Sequence, residues 1–148
     1  AKNIETRKKA IRYLIEGGCV GIFPGGTVST ALKPFGKAMD PSWRKFTARL
    51  IAKSKAKVVP IYFKGSNSRL FQIASHLHYN LRMALLIKEF GRRTNDKVSV
   101  VVGEPFSETK ISQYHNNAEE LMRFLRTETY KLSPDKRKGF DEGFDFDT

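Results

Sequence analysis

Apolar residues at Ile4, Ile11, Leu14 and Ile15, with Lys8, Lys9 and Arg12 turned away, predict an amphipathic helix over residues 4–16. Gly17-Gly18 supplies its stop. Cys19 to Phe23 is apolar apart from Gly21 and lacks a helical period, so it predicts a short buried strand ended by Pro24, with Cys19 in the core. From Pro24 to Asp40 the periodicity is lost, and a loop that long in a compact domain is either mobile or functional. Asp40-Pro41 then predicts a helix start, with an acid at the N-cap and proline at the first helical position. Trp43, Phe46, Thr47, Leu50 and Ile51 share one face of that helix and Arg44, Lys45, Arg49 and Lys53 the rest. It reads either as a core helix with a solvated basic back or as one resting on an anionic bilayer.

Further along, Lys57 to Phe63 predicts a second apolar strand in which Pro60 demands an edge or a bulge. Gly65-Ser66-Asn67-Ser68 forms a turn and cap. Leu70 to Ala74 and Tyr79 to Phe90 read as helical. The second of these is apolar on most sides, which suits burial against a sheet or a place where a lipid tail lodges. Val98 to Val102 is a third strand, and Asn117 with Glu120 resembles a capping box opening a helix with Leu121, Met122, Leu125 and Leu132 inside. The alternation predicts an α/β fold, a mostly parallel sheet flanked by helices. Ligands on such sheets gather beyond the carboxyl ends of strands, here Pro24 to Thr30 and Lys64 to Arg69.

At 148 residues the chain suits one domain, residues 1–138, followed by an acidic tail, 139–148, expected to be loosely held. No apolar run approaches the ~18–20 residues of a membrane-spanning helix. The net charge of +12 implies an anionic partner: nucleic acid, an acidic lipid surface or an acidic carrier protein. The single cysteine excludes an internal disulfide and fits a reducing cytoplasm. His76 and His78 sit on alternating sides and His115 is distant, so these read as surface or turn residues and no metal site is expected.

The richest chemistry lies in Phe23-Pro24-Gly25-Gly26-Thr27-Val28-Ser29. Gly25 and Gly26 permit positive φ, which turns successive backbone N–H groups towards an anion, and Thr27, Ser29 and Thr30 add hydroxyls. The glycine spacing from Gly21 to Gly26 matches a nucleotide-binding P-loop. Thr27 and Val28 stand where that motif needs lysine and a hydroxyl, so the match fails on mechanism.

Phe23 to Ser29 resembles the F-P-E-G-T-R-S block of the glycerolipid acyltransferases, the 1-acylglycerol-3-phosphate acyltransferases and their relatives. Val58-Val59-Pro60-Ile61 resembles that family's later V-P-I/V block. Tyr62 to Arg69 and Leu81 to Gly91 are most similar to the haemolysin-like, or lysophospholipid, branch. The similarity spans about residues 4–106. It implies an acyltransferase-like fold and an acceptor site at Phe23, Pro24, Gly25, Gly26, Thr27, Val28, Ser29, Pro60, Lys64, Asn67 and Arg69. The family's glutamate and arginine are Gly25 and Val28 here, which removes a guanidinium–phosphate fork and argues against a glycerol-phosphate acceptor. Lys64 and Arg69 either supply the positive charge instead or are solvated surface residues.

The family's catalytic histidine, followed five places on by an aspartate, is not found. Leu81, Met83 and Glu120 stand five places after the three histidines. The resemblance therefore implies no catalytic residue here: an acceptor-binding C-terminal portion, incomplete at its N-terminus and inactive alone. The whole enzyme is expected to move a fatty acyl group from acyl-CoA or an acyl-carrier protein to a lysolipid hydroxyl in phospholipid biosynthesis or lipid modification. It is expected to work in the cytoplasm, peripheral on the inner face of an anionic membrane, with no bound cofactor and no metal. Two other classes stand beside it: a basic nucleic-acid-binding domain, against which no recognition motif is found, and a catalytically inactive interaction module.

Overall fold

A computed structural model of the chain describes residues 2–114, 116–135 and 141–146. Its elements run α1 (Lys2–Ile15), β1 (Thr30–Ala31), β2 (Ala38–Met39), α2 (Phe46–Ser54), β3 (Ile61–Phe63), α3 (Arg69–Leu77), α4 (Tyr79–Arg93), β4 (Val100–Val102), α5 (Glu108–Ser112) and α6 (Ala118–Lys131). The helix ends follow local rules. Gly17, at φ +87°, closes α1 with Gly18 N–H on the Tyr13 carbonyl at 2.8 Å. The Ser68 and Asn117 side chains cap α3 and α6 by accepting from Phe71 N and Glu120 N.

The expected mostly parallel sheet is not formed. The described strands make two separate two-stranded sheets, both antiparallel: Thr30 faces Met39, and Tyr62 faces Val101. The reason lies in the connections. A parallel return needs one lengthwise crossover, whereas two helices packed on each other, α3 and α4, separate β3 from β4. The chain comes back to the end it left. Cys19 to Phe23 finds no ladder partner among the described residues, so it stays extended without becoming a strand, and Cys19 is exposed rather than in the core. Pro60 sits in the two-stranded ribbon with its carbonyl taking Gly103 N–H at 2.9 Å, an edge position as its missing donor requires.

The main core is the contact of α2 with α6, where Ala48 and Ile51 meet Leu121, Met122 and Leu125. A second buried group joins α3 to β1 through Phe71 and Ala31, with the Gln72 Oε1 accepting from Ala31 N at 2.8 Å. α2 begins at Phe46, not at Asp40-Pro41. Asp40 is drawn elsewhere: its carboxylate accepts from Ser29 Oγ and from Trp43 Nε1 at 3.0 Å, while Arg44 N–H bonds the Pro24 carbonyl. The would-be cap has been recruited to fasten the loop.

α4 is inverted relative to its sequence. Its buried residues are Arg82 and Glu89, whereas Met83, Ile87 and Phe90, one face at spacings of four and three, are exposed. β3 and β4 likewise expose Ile61, Phe63, Val100 and Val102 on one face, with Tyr62 turned inward against Tyr130 of α6. Residues 141–146 of the acidic tail lie packed across the β1–β2 hairpin, where Gly143 N–H bonds the Asp40 carbonyl and Phe144 N–H the Thr30 carbonyl. Residues 136–140, 147 and 148, and His115, lie outside the described residues.

Candidate functional site

Arg82 has an environment unlike that of any charged side chain the sequence singled out. It projects from the first turn of α4 and is only 4% exposed. Its Nη1 donates to Thr30 Oγ1 at 2.7 Å and to Ser75 Oγ at 3.1 Å. Its Nη2 donates to Thr27 Oγ1 at 3.2 Å and to the Val28 carbonyl at 3.4 Å. The rings of Phe146 and Phe71 lie 4.0 and 5.1 Å from the guanidinium carbon. Burial pushes the group below its ordinary value, with Tyr79 acting the other way. It nevertheless stays charged, because arginine does not deprotonate in proteins.

Neutral oxygens satisfy these N–H groups without neutralising the charge. Among the described residues no carboxylate comes within ion-pair distance of Arg82. A desolvated cation lacking an anion is expensive, and buried charges are normally paired. The arrangement is a polar socket around a cation: the oxygens of Thr27, Val28, Thr30 and Ser75 take the N–H groups of both Nη atoms, and none of them carries charge.

The loop that closes this socket is shaped differently from the sequence expectation. Gly26 does take positive φ, at +70°, but Gly25 does not, and Gly26 N–H is already bonded to the Phe23 carbonyl at 3.2 Å. Positive charge thus comes from Arg82 rather than from a row of free backbone N–H groups. Gly25 is buried, and a Cβ there would sit 3.5 Å from the Asp40 carboxyl carbon. Asp40 thus lies beside Gly25, and Arg82 on the carbonyl of Val28.

The structure brings together only part of the predicted site. Phe23 and Phe63 rings meet at 5.6 Å, joining the first block to the strand that follows Pro60. Ser29 is bound to Asp40, and Thr27 and Val28 touch Arg82. Pro24 fixes the loop through its carbonyl, and Pro60 is buried in the ribbon. Arg69 is a tie, not a free cation: its Nη1 donates to the Phe35 and Gly36 carbonyls at 3.1 Å each. No hydrogen bond or ion pair links the side chains of Lys64 or Asn67 to the loop among the described residues. His78 caps α4, and His76 Nε2 bonds the Ala31 carbonyl at 2.8 Å. No group of metal-binding side chains occurs among the described residues.

Arg82 and Asp40 escaped the sequence reading. The signal for Arg82 was present: Arg82, Leu85, Leu86 and Glu89 share one stripe of a helix otherwise rich in apolar residues, and a lone cation on such a stripe points inward as readily as outward. On the far side of Phe23, a cleft of about 430 Å³ opens between α1, Val20 to Phe23 and α2, with Arg7 stacked on the Phe46 ring at one wall.

Asp40 is also tied to α6, through its N–H on the Tyr130 hydroxyl at 2.9 Å and its carbonyl on Arg126 Nη2 at 2.8 Å. Burial, helped by the Asp40 charge, pushes the Tyr130 phenol up from 10.0 to about 12. The unfolded chain then loses this proton before the folded protein does. The associated stability is complete below pH 10 and lost as the pH rises towards 12. Tyr130→Phe is expected to flatten that alkaline decline by about 1–2 kcal/mol, read from urea unfolding across the interval.

Comparison with protein-family models, with curated proteins and with solved structures finds no match to this chain.

Proposed function

We propose that this chain binds the acceptor for an acyltransferase that moves a fatty acyl group from an acyl thioester, acyl-CoA or acyl-carrier protein, to a hydroxyl of an anionic lysolipid. The observation that carries the reading is Arg82, a buried guanidinium without a carboxylate partner among the described residues, bonded to Thr27 and Val28 of the Phe23–Ser29 stretch that resembles the acyltransferase acceptor block and to Thr30 just beyond it. That block normally brings its own arginine. In this chain the same charge arrives from α4, so a phosphate headgroup is again a fitting ligand despite Val28.

On this reading the headgroup displaces neutral oxygens now held by Arg82 Nη1 and Nη2, two of its own oxygens take the fork, and the freed Thr27 and Thr30 hydroxyls donate or accept at the others. Asp40 and Ser29 hold the loop. The acyl chain of the acceptor leaves past Phe23 and Phe63 towards exposed apolar surface or the adjoining cleft. The exposed face of Met83, Ile87 and Phe90, with Lys88, Arg92 and Arg93 close by in sequence, suits peripheral contact with an anionic bilayer. No helix among the described residues is long and apolar enough to cross one. The chain carries no histidine with an aspartate five places on, so the base that takes the acceptor proton is not among these residues in the family's form. The chain alone is proposed to bind without turning over.

The test is calorimetric titration of the chain with a short-chain 1-acylglycerol 3-phosphate and with the matching uncharged monoacylglycerol, both below their micelle concentrations. The phosphate form is expected to bind at least about tenfold more tightly, because charge-assisted hydrogen bonds exceed neutral ones by roughly that much. Equal affinity for the two would sink the proposal.

A further inference from the structure

The guanidinium socket is not open. Residues 141–146, Asp-Glu-Gly-Phe-Asp-Phe, cross it as a strap, seated on Thr30 and Arg82 of the socket and on Asp40, Ser42, Arg44, His76 and Arg126 around it. Gly143 N–H bonds the Asp40 carbonyl at 2.8 Å and Phe144 N–H the Thr30 carbonyl at 3.1 Å. Arg126 Nη2 holds the Asp141 carbonyl at 3.0 Å, Ser42 Oγ donates to Glu142, and Arg44 pairs with Asp145 at 3.1 Å. Phe144 packs edge-on against His76 at 5.2 Å and against Phe146 at 4.7 Å. The Phe146 ring in turn lies over Arg82 at 4.0 Å.

The crossing point accepts one residue type. Gly143 is buried so tightly that a Cβ would fall 1.9 Å from the Met39 carbonyl oxygen and 2.5 Å from that of Thr30. Both are backbone atoms held in the β1–β2 pairing, so neither yields as the end of a flexible side chain does. This fit meets Thr30 through its backbone carbonyl and not through the hydroxyl that faces Arg82.

We propose that residues 141–146 are a built-in occupant of the headgroup socket, competing with the anionic acceptor for Arg82, so that the acceptor binds only when the strap lifts. The inference rests on the acceptor-binding reading above. A phenyl ring over a guanidinium is a weaker partner than a phosphate fork, because it offers a quadrupole where the anion offers full charge and hydrogen-bond acceptors. A ring in that place shields the cation while leaving it displaceable. Apparent affinity then falls by the fraction of molecules whose strap is open.

The experiment uses the full chain in three forms: unaltered, Gly143→Ala and Phe146→Ala. Two measurements are made on each. Modification of Arg82 by phenylglyoxal, followed by peptide mass mapping with exposed Arg12 as the internal reference, reports access to the guanidinium without any ligand. Titration with the short-chain 1-acylglycerol 3-phosphate reports binding. Both variants are expected to raise the Arg82 modification rate and to tighten binding by about tenfold, with Arg12 unchanged. Modification rates equal in all three forms, with the unaltered chain still binding the phosphate lipid, would overturn the strap and leave the acceptor site standing. Faster modification without any gain in affinity would overturn the competition. Faster modification with no binding by any form would overturn the acceptor reading itself and the competition with it.

Discussion

Replacing Arg82 by methionine is expected to weaken binding of the phosphate lysolipid by about 10- to 150-fold, the worth of charge-assisted hydrogen bonds at about 1.5–3 kcal/mol. The same substitution is expected to lower stability by less than about 1 kcal/mol, or to raise it, because an apolar side chain of similar length replaces a buried charge that has no counter-ion among the described residues. Two of the three hydroxyls left behind are already placed. Thr30 Oγ1 donates to the Val28 carbonyl at 2.9 Å and Ser75 Oγ to the Phe71 carbonyl at 2.7 Å, so neither becomes an orphan when the guanidinium goes. If Arg82 were only a clamp between α4 and the loop, the result would be the reverse: unfolding easier by about 3 kcal/mol or more and lysolipid binding untouched. Urea unfolding and calorimetric titration of the same preparation separate the two outcomes.

The second large effect belongs to Phe71. It is fully buried in α3, beside Ala31 of β1 and within 5.1 Å of the Arg82 guanidinium. Phe71→Ala is expected to destabilise by about 3–5 kcal/mol, the loss of transfer free energy plus an incompletely collapsed cavity. Against a typical total of about 5–15 kcal/mol, that is enough to leave a large unfolded fraction in mild denaturant. Phe71→Leu should lose markedly less, since it leaves a smaller void. A Phe71→Ala midpoint close to that of the unaltered chain would mean that α3 is not seated on β1 as described. The position matters to the site because Ser75 and Gln72 hang from the same helix, the first on Arg82 and the second on Ala31 N–H.

What separates these two residues is how their places are specified. Phe71 follows Ser68 by three, and its burial is what an apolar residue just inside a capped helix predicts. Arg82 and Glu89 contradict the helix they belong to. α4 buries two of its five charged residues, seven apart, and leaves Met83, Ile87 and Phe90 outside. Glu89 accepts from Ser68 N at 3.0 Å; desolvation alone would raise its pKa, but the Ser68 hydrogen bonds, with Arg92 and Arg93, hold it below the usual carboxylate range. Each buried charge thus serves a neighbouring loop rather than the hydrophobic core. Such a choice arises only when the loop's polar groups are within reach.

From its sequence alone this protein determined the pieces whose energetics are local: the glycine stop after α1, the Ser68 and Asn117 caps, the α6 stripe of Leu121, Met122 and Leu125, the edge position of Pro60 and the left-handed turn at Gly26. A cap or a stripe is decided within one or two turns by residues three or four apart. Only the tertiary structure decided strand direction, because two packed helices, not one, stand between β3 and β4. It alone placed Asp40 on Ser29, Arg82 against Thr27 and Thr30, and Phe146 over Arg82, pairs 11, 55, 52 and 64 residues apart in the numbering. Contacts over such separations depend on how whole elements stack, and no periodicity along the chain encodes which polar group will meet which.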